Sequence, residues 1–207
     1  MKNSIRLLTI EFELNYINVI SRKNLREHAA IRLILSALAS PEEIRNLRGV
    51  DIKKDRSDFR VRLKSAGKSR ISPVDEKTYL ILKELFKKGD DVFCGIELDG
   101  IVAKYSPPGR KYDVSKLKKS VIEILRDCLL IGDRDLVQDL LKGRNIEKVS
   151  DFLRDFHPMY SGMWELDDEE AAREFLISYS KYTGIHDVAL IAEKIDEDER
   201  RILELLK

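Results

Sequence analysis

Between Arg45 and Arg70 the chain sets ten cationic side chains, Arg45, Arg48, Lys53, Lys54, Arg56, Arg60, Arg62, Lys64, Lys68 and Arg70, against three carboxylates, Asp51, Asp55 and Asp58. Guanidinium forks and ammonium groups at that density suit contact with phosphate oxygens, binding a nucleic-acid backbone with little sequence preference. A second cluster, Arg110, Lys111, Lys116, Lys118 and Lys119, could line the same groove. Few aromatics interleave with either cluster, which disfavours base stacking on single strands. The competing reading is a solvated face on a chain that is 36% charged; such a surface also fits a heat-adapted source.

Other chemistries find less support. Gly95 to Gly100 lacks the Gly-Lys-Ser/Thr ending of a phosphate-binding loop. Cys94 and Cys128 lack metal-site spacing and are expected to be buried free thiols in a reducing compartment. No metal and no cofactor is expected. The N-terminus has one basic pair and soon meets Glu11 and Glu13, unlike a secretory leader, and no apolar run reaches membrane-spanning length. A cytoplasmic protein without membrane contact is the expectation. The net charge of +1 conceals an asymmetry: residues 1–152 hold 31 Lys and Arg against 23 Asp and Glu, and residues 153–207 hold 7 against 14. A basic body with an acidic tail fits a nucleic-acid binder with a separable, regulatory segment.

The elements that must position these residues can be read from periodicity and caps. Leu7 to Ile20 reads as a helix interrupted at Asn15 and Asn18. Asn24 to Leu38 reads as a helix with Leu25, Ala29, Ile31, Leu33, Ile34 and Leu38 on one side. Ser40-Pro41-Glu42-Glu43 is a helix start with a capping box, and Ile44, Leu47 and Val50 supply the buried face that follows. Phe59, Val61 and Leu63 alternate with Arg60, Arg62 and Lys64, then Ser65-Ala66-Gly67-Lys68 turns into a second strand, Ser69 to Val74, with Pro73 near its end or on an edge. Asp75 to Phe86 is an amphipathic helix with Tyr79, Leu80, Leu82, Leu85 and Phe86 inward. Residues 87–109 read as loop. Helices follow at Val114–Ile131, closed by Gly132, at Asp133–Leu141 and at Ile146–Phe156. Pro158 to Gly162 reads as a linker before two helices, Asp167–Tyr182 and Ile185–Leu206. The expected class is α+β, mainly helical with a small antiparallel hairpin or sheet, with a basic domain at 1–157 and an acidic helical extension at 158–207.

Residues 25–156 resemble the catalytic domain of the tyrosine recombinases, the phage-integrase family. That family has a Thr-Gly-Leu-Arg-x-x-Glu-Leu turn and helix, then Leu-x-x-x-Asp-Ile. Here Glu43, Leu47, Asp51 and Ile52 stand at the matching places. Its hairpin of the type Gly-Lys-x-x-Lys-x-Arg-x-x-Pro is matched in register by Lys64, Lys68, Arg70 and Pro73. Val137-Gln138-Asp139-Leu140-Leu141 is similar to its Val-Gln-x-Leu-Leu, which precedes a Gly-His pair. The family's N-terminal DNA-clamping domain has no counterpart here.

The resemblance implies a chemistry and its loss. In the family a tyrosine hydroxyl attacks a phosphodiester, arginines and a His or Trp stabilise the phosphate, a lysine protonates the leaving oxygen, and a histidine assists. On this chain the first arginine falls on Ser40, the His-x-x-Arg pair on Ser115 and Lys118, the later histidine near Gly143, and the nucleophile on Phe152; only the lysine is kept, as Lys64. Phe152 has no oxygen, and Ser40 offers no guanidinium fork. These replacements imply a non-catalytic relative that binds duplex or branched DNA through Arg45, Arg48, Arg60, Arg62, Lys64, Lys68, Arg70, Arg110, Lys111, Lys118 and Lys119, in an architectural or regulatory role in recombination or integration. The alternatives are an active recombinase whose nucleophile has moved, with Tyr160 the candidate, and a protein-interaction module that has kept only the fold. The family's C-terminal segment often packs on a neighbouring subunit, so a homo-oligomer through 158–207 is also expected. His28 and His157 are expected to be surface or packing residues.

Overall fold

A computed structural model describes residues 2–56, 58–128 and 135–207, with side chains from Thr9 onward. Within them the chain is mainly helical around one small antiparallel sheet, an α+β arrangement. The helices are α1 (Lys2–Ile20), α2 (Leu25–Ala37), α3 (Pro41–Arg45), α4 (Glu76–Phe86), α5 (Leu98–Lys104), α6 (Val114–Asp127), α7 (Leu136–Lys142), α8 (Ile146–Phe156), α9 (Pro158–Ser161), α10 (Glu169–Thr183), α11 (Val188–Ile195) and α12 (Glu199–Leu205). The strands β1 (Ile52–Asp55), β2 (Asp58–Ser65) and β3 (Lys68–Val74) pair in chain order.

The capping chemistry forms as read. The Ser40 hydroxyl accepts from the Glu43 N–H at 3.3 Å while the Glu43 carboxylate accepts from the Ser40 N–H at 2.7 Å, closing the box at the start of α3. Asn24 and Asp75 cap α2 and α4 in the same manner. The hairpin register pairs Arg62 with Ile71 and Ser65 with Lys68. Its two-residue turn has positive φ at both Ala66 (48°) and Gly67 (73°), the mirror-turn geometry that suits the twist of a hairpin. Val61 and Leu63 are buried in β2, which packs on α3 and α4, so the alternate residues Arg60, Arg62 and Lys64 occupy the opposite face of β2.

Several expectations are corrected. A third strand, β1, precedes the hairpin; its four residues Ile-Lys-Lys-Asp bury only Ile52, too little alternation to read. Asn15 and Asn18 do not interrupt α1: the Asn18 amide donates to the Trp164 carbonyl at 3.1 Å, so its polarity is used by a distant segment. The 87–109 stretch contains α5, and Pro158–Ser161 is a helical turn with Met159 buried. The span 185–206 divides into α11 and α12 at Asp196, which takes a left-handed φ of 60° ahead of the capping Asp198. Leu25, Val50 and Leu80 are exposed, and Cys94 is an exposed thiol while Cys128 is half-buried. The close of α6 at Gly132 and the start of a helix at Asp133 lie outside the described residues.

Two apolar cores share α1. The larger joins α1 to α9 and takes in Met159 and Trp164. The smaller packs Tyr16 and Val19 of α1 against Phe175, Leu176 and Tyr179 of α10, Ile191 and Ile195 of α11 and Ile202 of α12. The acidic helices therefore spend their apolar faces on α1 of their own chain. Among the described residues no helix is long and apolar enough to cross a membrane.

Candidate functional site

The site grows outward from the capping box. Having closed α3, Glu43 reaches β3, where Arg70 grips it with both arms: Nε to Oε1 at 2.7 Å and Nη2 to Oε2 at 3.1 Å. The same guanidinium donates to the carbonyls of Ala37 (3.0 Å) and Leu38 (3.3 Å) at the end of α2, and of Leu140 (2.9 Å) in α7. One planar fork thus ties the ends of three helices to the sheet. Burial alone would raise the Glu43 carboxyl, but Arg70 and the Ser40 cap outweigh it and hold the group below the usual carboxylate range.

Gly143 seals the arrangement. Its φ is 64°, and a Cβ there would meet the Arg70 Cβ at 2.7 Å and the Ile71 N and O at 2.8 and 2.9 Å. The position where the family's later histidine falls has no room for a side chain. Lys118 approaches from α6. Its half-buried ammonium is pushed down by burial and by Arg70 and is supported by Glu43, and it makes no hydrogen bond among the described residues. Lys64, next to last in β2, sets its ammonium on the two oxygens of Asp51, at 2.6 and 2.9 Å. The hairpin tip beside it is fixed by Glu42, whose carboxylate accepts from the Ser65 hydroxyl (2.5 Å) and the Ala66 N–H (2.9 Å). An open groove of about 440 Å³ runs along this tip between β3 and α7, past Lys68, Arg70 and Lys142.

Ser40, Arg70 and Lys118 therefore converge on Glu43, and Gly143 packs against Arg70 behind it. Ser115 is exposed on α6, and Phe152 is buried in α8 with its ring 5.3 Å from Phe156. Tyr160, the candidate displaced nucleophile, directs its hydroxyl at the Ser36 carbonyl (3.4 Å); burial, joined by Asp75, raises its phenol well above the ordinary value. A phenol held protonated in this way is a poor nucleophile. His157 is enclosed: its Nδ1 accepts from the Met159 N–H, so Nε2 carries the proton and donates to the Leu35 carbonyl at 3.0 Å. Burial lowers it to about 4. His28, buried against the Ser21 hydroxyl at 2.8 Å, is lowered too, again chiefly by burial.

The basic residues divide by what they already hold. Arg60 bridges Asp55 (2.8 Å) and Asp58 (3.0 Å), and Arg110 holds Glu13 (2.8 Å). Arg48 binds the Arg45, Leu47 and Asp90 carbonyls and lies 3.4 Å from Asp91, and Arg45 donates to the Ile96 carbonyl at 3.4 Å. Arg62, Lys68, Lys111 and Lys119 are exposed and form no ion pair among the described residues. The second cluster is split between two faces of α6. Lys118 faces Glu43 and Arg70, whereas Lys116, about 200° away around α6, lines a second groove against α1 with Arg110 and Lys119.

Three constellations escaped the sequence. Arg32, fully buried in α2, binds Asp75 (2.5 Å), Glu165 (2.6 Å) and Thr78 (2.8 Å). Glu13 of α1 takes Arg110 together with the Tyr112 hydroxyl at 2.5 Å, and burial and that carboxylate push the Tyr112 phenol up. Glu42 fixes the hairpin tip. A charged residue inside an apolar helix, such as Arg32 between Ile31 and Leu33, is the one signal that pointed to any of them.

No protein-family model matches the chain, and no solved structure matches it. A protein of Archaeoglobus fulgidus, described as an uncharacterized protein, is 40% identical over 196 residues, which cover 91% of this chain and 87% of the relative. At that identity and coverage, the chain belongs to the same family as the Archaeoglobus fulgidus protein.

Proposed function

We propose that this chain is a DNA-binding protein built on the tyrosine-recombinase catalytic-domain plan, without strand-cleavage activity. The observation that carries the reading is that Ser40 and Arg70 bind Glu43, Lys118 is electrostatically coupled to both Glu43 and Arg70, and Gly143 packs on Arg70. The resemblance assigns Ser40, Lys118 and Gly143 to the phosphate-handling centre and Arg70 to the hairpin motif, and they come from segments far apart in sequence. Leu38 adds support: it stands where the family's Thr-Gly-Leu-Arg has glycine, and it takes a left-handed φ of 51°. So does Lys64, next to last in β2 at the place of the retained lysine.

The loss of cleavage follows from what the centre contains. Phe152 carries no nucleophilic oxygen, Ser40 has its hydroxyl engaged as a cap, and the Arg70 fork is engaged by Glu43 and three carbonyls. Binding without chemistry falls to exposed cations that form no ion pair among the described residues, such as Arg62 and Lys68 on the hairpin, Lys111 ahead of α6 and Lys119 in it. Arg48, Arg60, Lys64, Arg70 and Arg110 are engaged by carboxylates and Arg45 by a backbone carbonyl, so their role is mainly structural. Incubation with a nicked duplex should give a complex that detergent fully dissociates. A detergent-stable protein–DNA adduct would refute the loss of cleavage, and an absence of complex even at low salt would refute DNA binding.

A further inference from the structure

We propose that the cleft between the β3 edge, the start of α4 and helices α8 and α9 is a binding site for a small primary-amine ligand. This goes beyond the DNA-binding reading and does not depend on it. The cleft holds about 190 Å³, below the range of drug-sized ligands. Phe59, Pro73 and Val74 form its apolar wall; Arg154 and Arg60 hold Asp58 and Arg32 holds Asp75, which leaves Glu76 as the lining carboxylate without an ion pair among the described residues.

An independent observation points to an occupant. Ser150 lines the cleft, is 3% exposed, and its Oγ has no hydrogen-bond partner among the described residues. A buried hydroxyl left unpaired costs stability and is uncommon in folded proteins. An ammonium is a donor that this oxygen can accept. The Tyr160 hydroxyl, whose proton is directed at Ser36, offers its lone pairs from a neighbouring wall. Burial chiefly raises the Tyr160 phenol, with Asp75 and Asp58 adding to it against the opposing Arg32, so the hydroxyl keeps its proton. Phe59 already takes the Lys54 ammonium 5.1 Å from its ring centroid, so the aromatic wall tolerates a cation. A metal ion is a poor fit, since among the described residues no three His, Cys, Asp or Glu side chains are grouped to hold one. Arg154 reaches Asp58 at 3.2 Å and is half-exposed, so it can be displaced by an incoming ammonium.

Calorimetric titration of the full chain with n-butylamine and 1,4-diaminobutane, with butyrate as the charge-reversed control, tests the assignment. Both amines should bind and butyrate should not. Ser150→Ala should weaken the amines by about tenfold or more, the loss of roughly one charge-assisted hydrogen bond. The same substitution should raise the unfolding midpoint of the ligand-free protein, because it removes the orphaned hydroxyl. Arg154→Met should tighten the amines. No heat up to roughly 50 mM amine, far weaker than the millimolar binding that about 4 kcal/mol supports, would overturn the proposal. Equal binding by Ser150→Ala would overturn it too, as would a preference for butyrate.

Discussion

Two arginines organise this molecule, and they do so in opposite settings. Arg70 works at the rim of the groove, where its partners are one carboxylate and three helix-end carbonyls. Arg32 works in the dark: fully buried, it holds Asp75 at the start of α4 and Glu165 at the threshold of the acidic helices. Burial would strip its proton, but the two carboxylates more than compensate and raise its affinity for it. Arg70 gathers elements that the resemblance already groups together. Arg32 fastens the basic body to the segment leading into α10, a junction for which the resemblance has no motif.

Breaking the buried node should have the larger effect. Arg32→Ala leaves Asp75 and Glu165 without their cation and should cost about 3–5 kcal/mol, read as a fall in the denaturant midpoint. A loss under 1 kcal/mol would mean that water or Lys77, 2.8 Å from Glu165, replaces it. Next comes Gly143→Ala, beside Arg70. Its Cβ has to push into the β3 backbone at a left-handed φ, so about 2–4 kcal/mol is expected. An unchanged midpoint would contradict the close approach of α7 to β3.

The two nodes also differ in what protonates near them. His157, one step from the Arg32 region, falls from 6.5 to about 4 on folding, so the unfolded chain binds its proton first. Stability is therefore complete above pH 6.5 and declines as the pH falls towards 4, by roughly 3 kcal/mol at the lower end. His157→Gln should flatten that part of the curve. Glu43 behaves as a depressed carboxylate: its contribution is present above the unfolded value and is lost as the pH falls through its lowered folded value. Its effect lies below the histidine window, and Glu43→Gln should remove it. The smallest change belongs to the hairpin tip. Ala66→Gly relieves a positive φ of 48° and should stabilise by up to about 1 kcal/mol; a loss instead would show that the Glu42 clamp, not the backbone, sets the turn.

These two nodes also mark what was legible in the sequence. The capping box at Ser40, the hairpin with its inward Val61 and Leu63, and the amphipathic α8 could be read because each is a local pattern. Arg70 was legible as a motif position, although its clasp on Glu43 was not. Arg32 pairs with groups 43 and 133 residues away, and no window of local periodicity contains such a partner. The same holds for Asn18 and Trp164: the asparagine reads as a helix interruption until the chain returns 146 residues later to use it. β1 failed for another reason, because a four-residue edge strand with one buried side chain carries almost no alternation.

The most direct test of the central claim is duplex-DNA binding by the full chain, followed by fluorescence anisotropy across a salt series, with Arg62→Ala/Lys68→Ala alongside. If Arg62, Lys68, Lys111 and Lys119 each meet one phosphate, these four give a slope of about −3.6 in log K against log salt, and the double variant lowers its magnitude by about 1.8. Binding with that slope, weakened in the variant, is the predicted result. Salt-independent binding, an unaltered slope in the variant, or no binding at low salt would contradict the account.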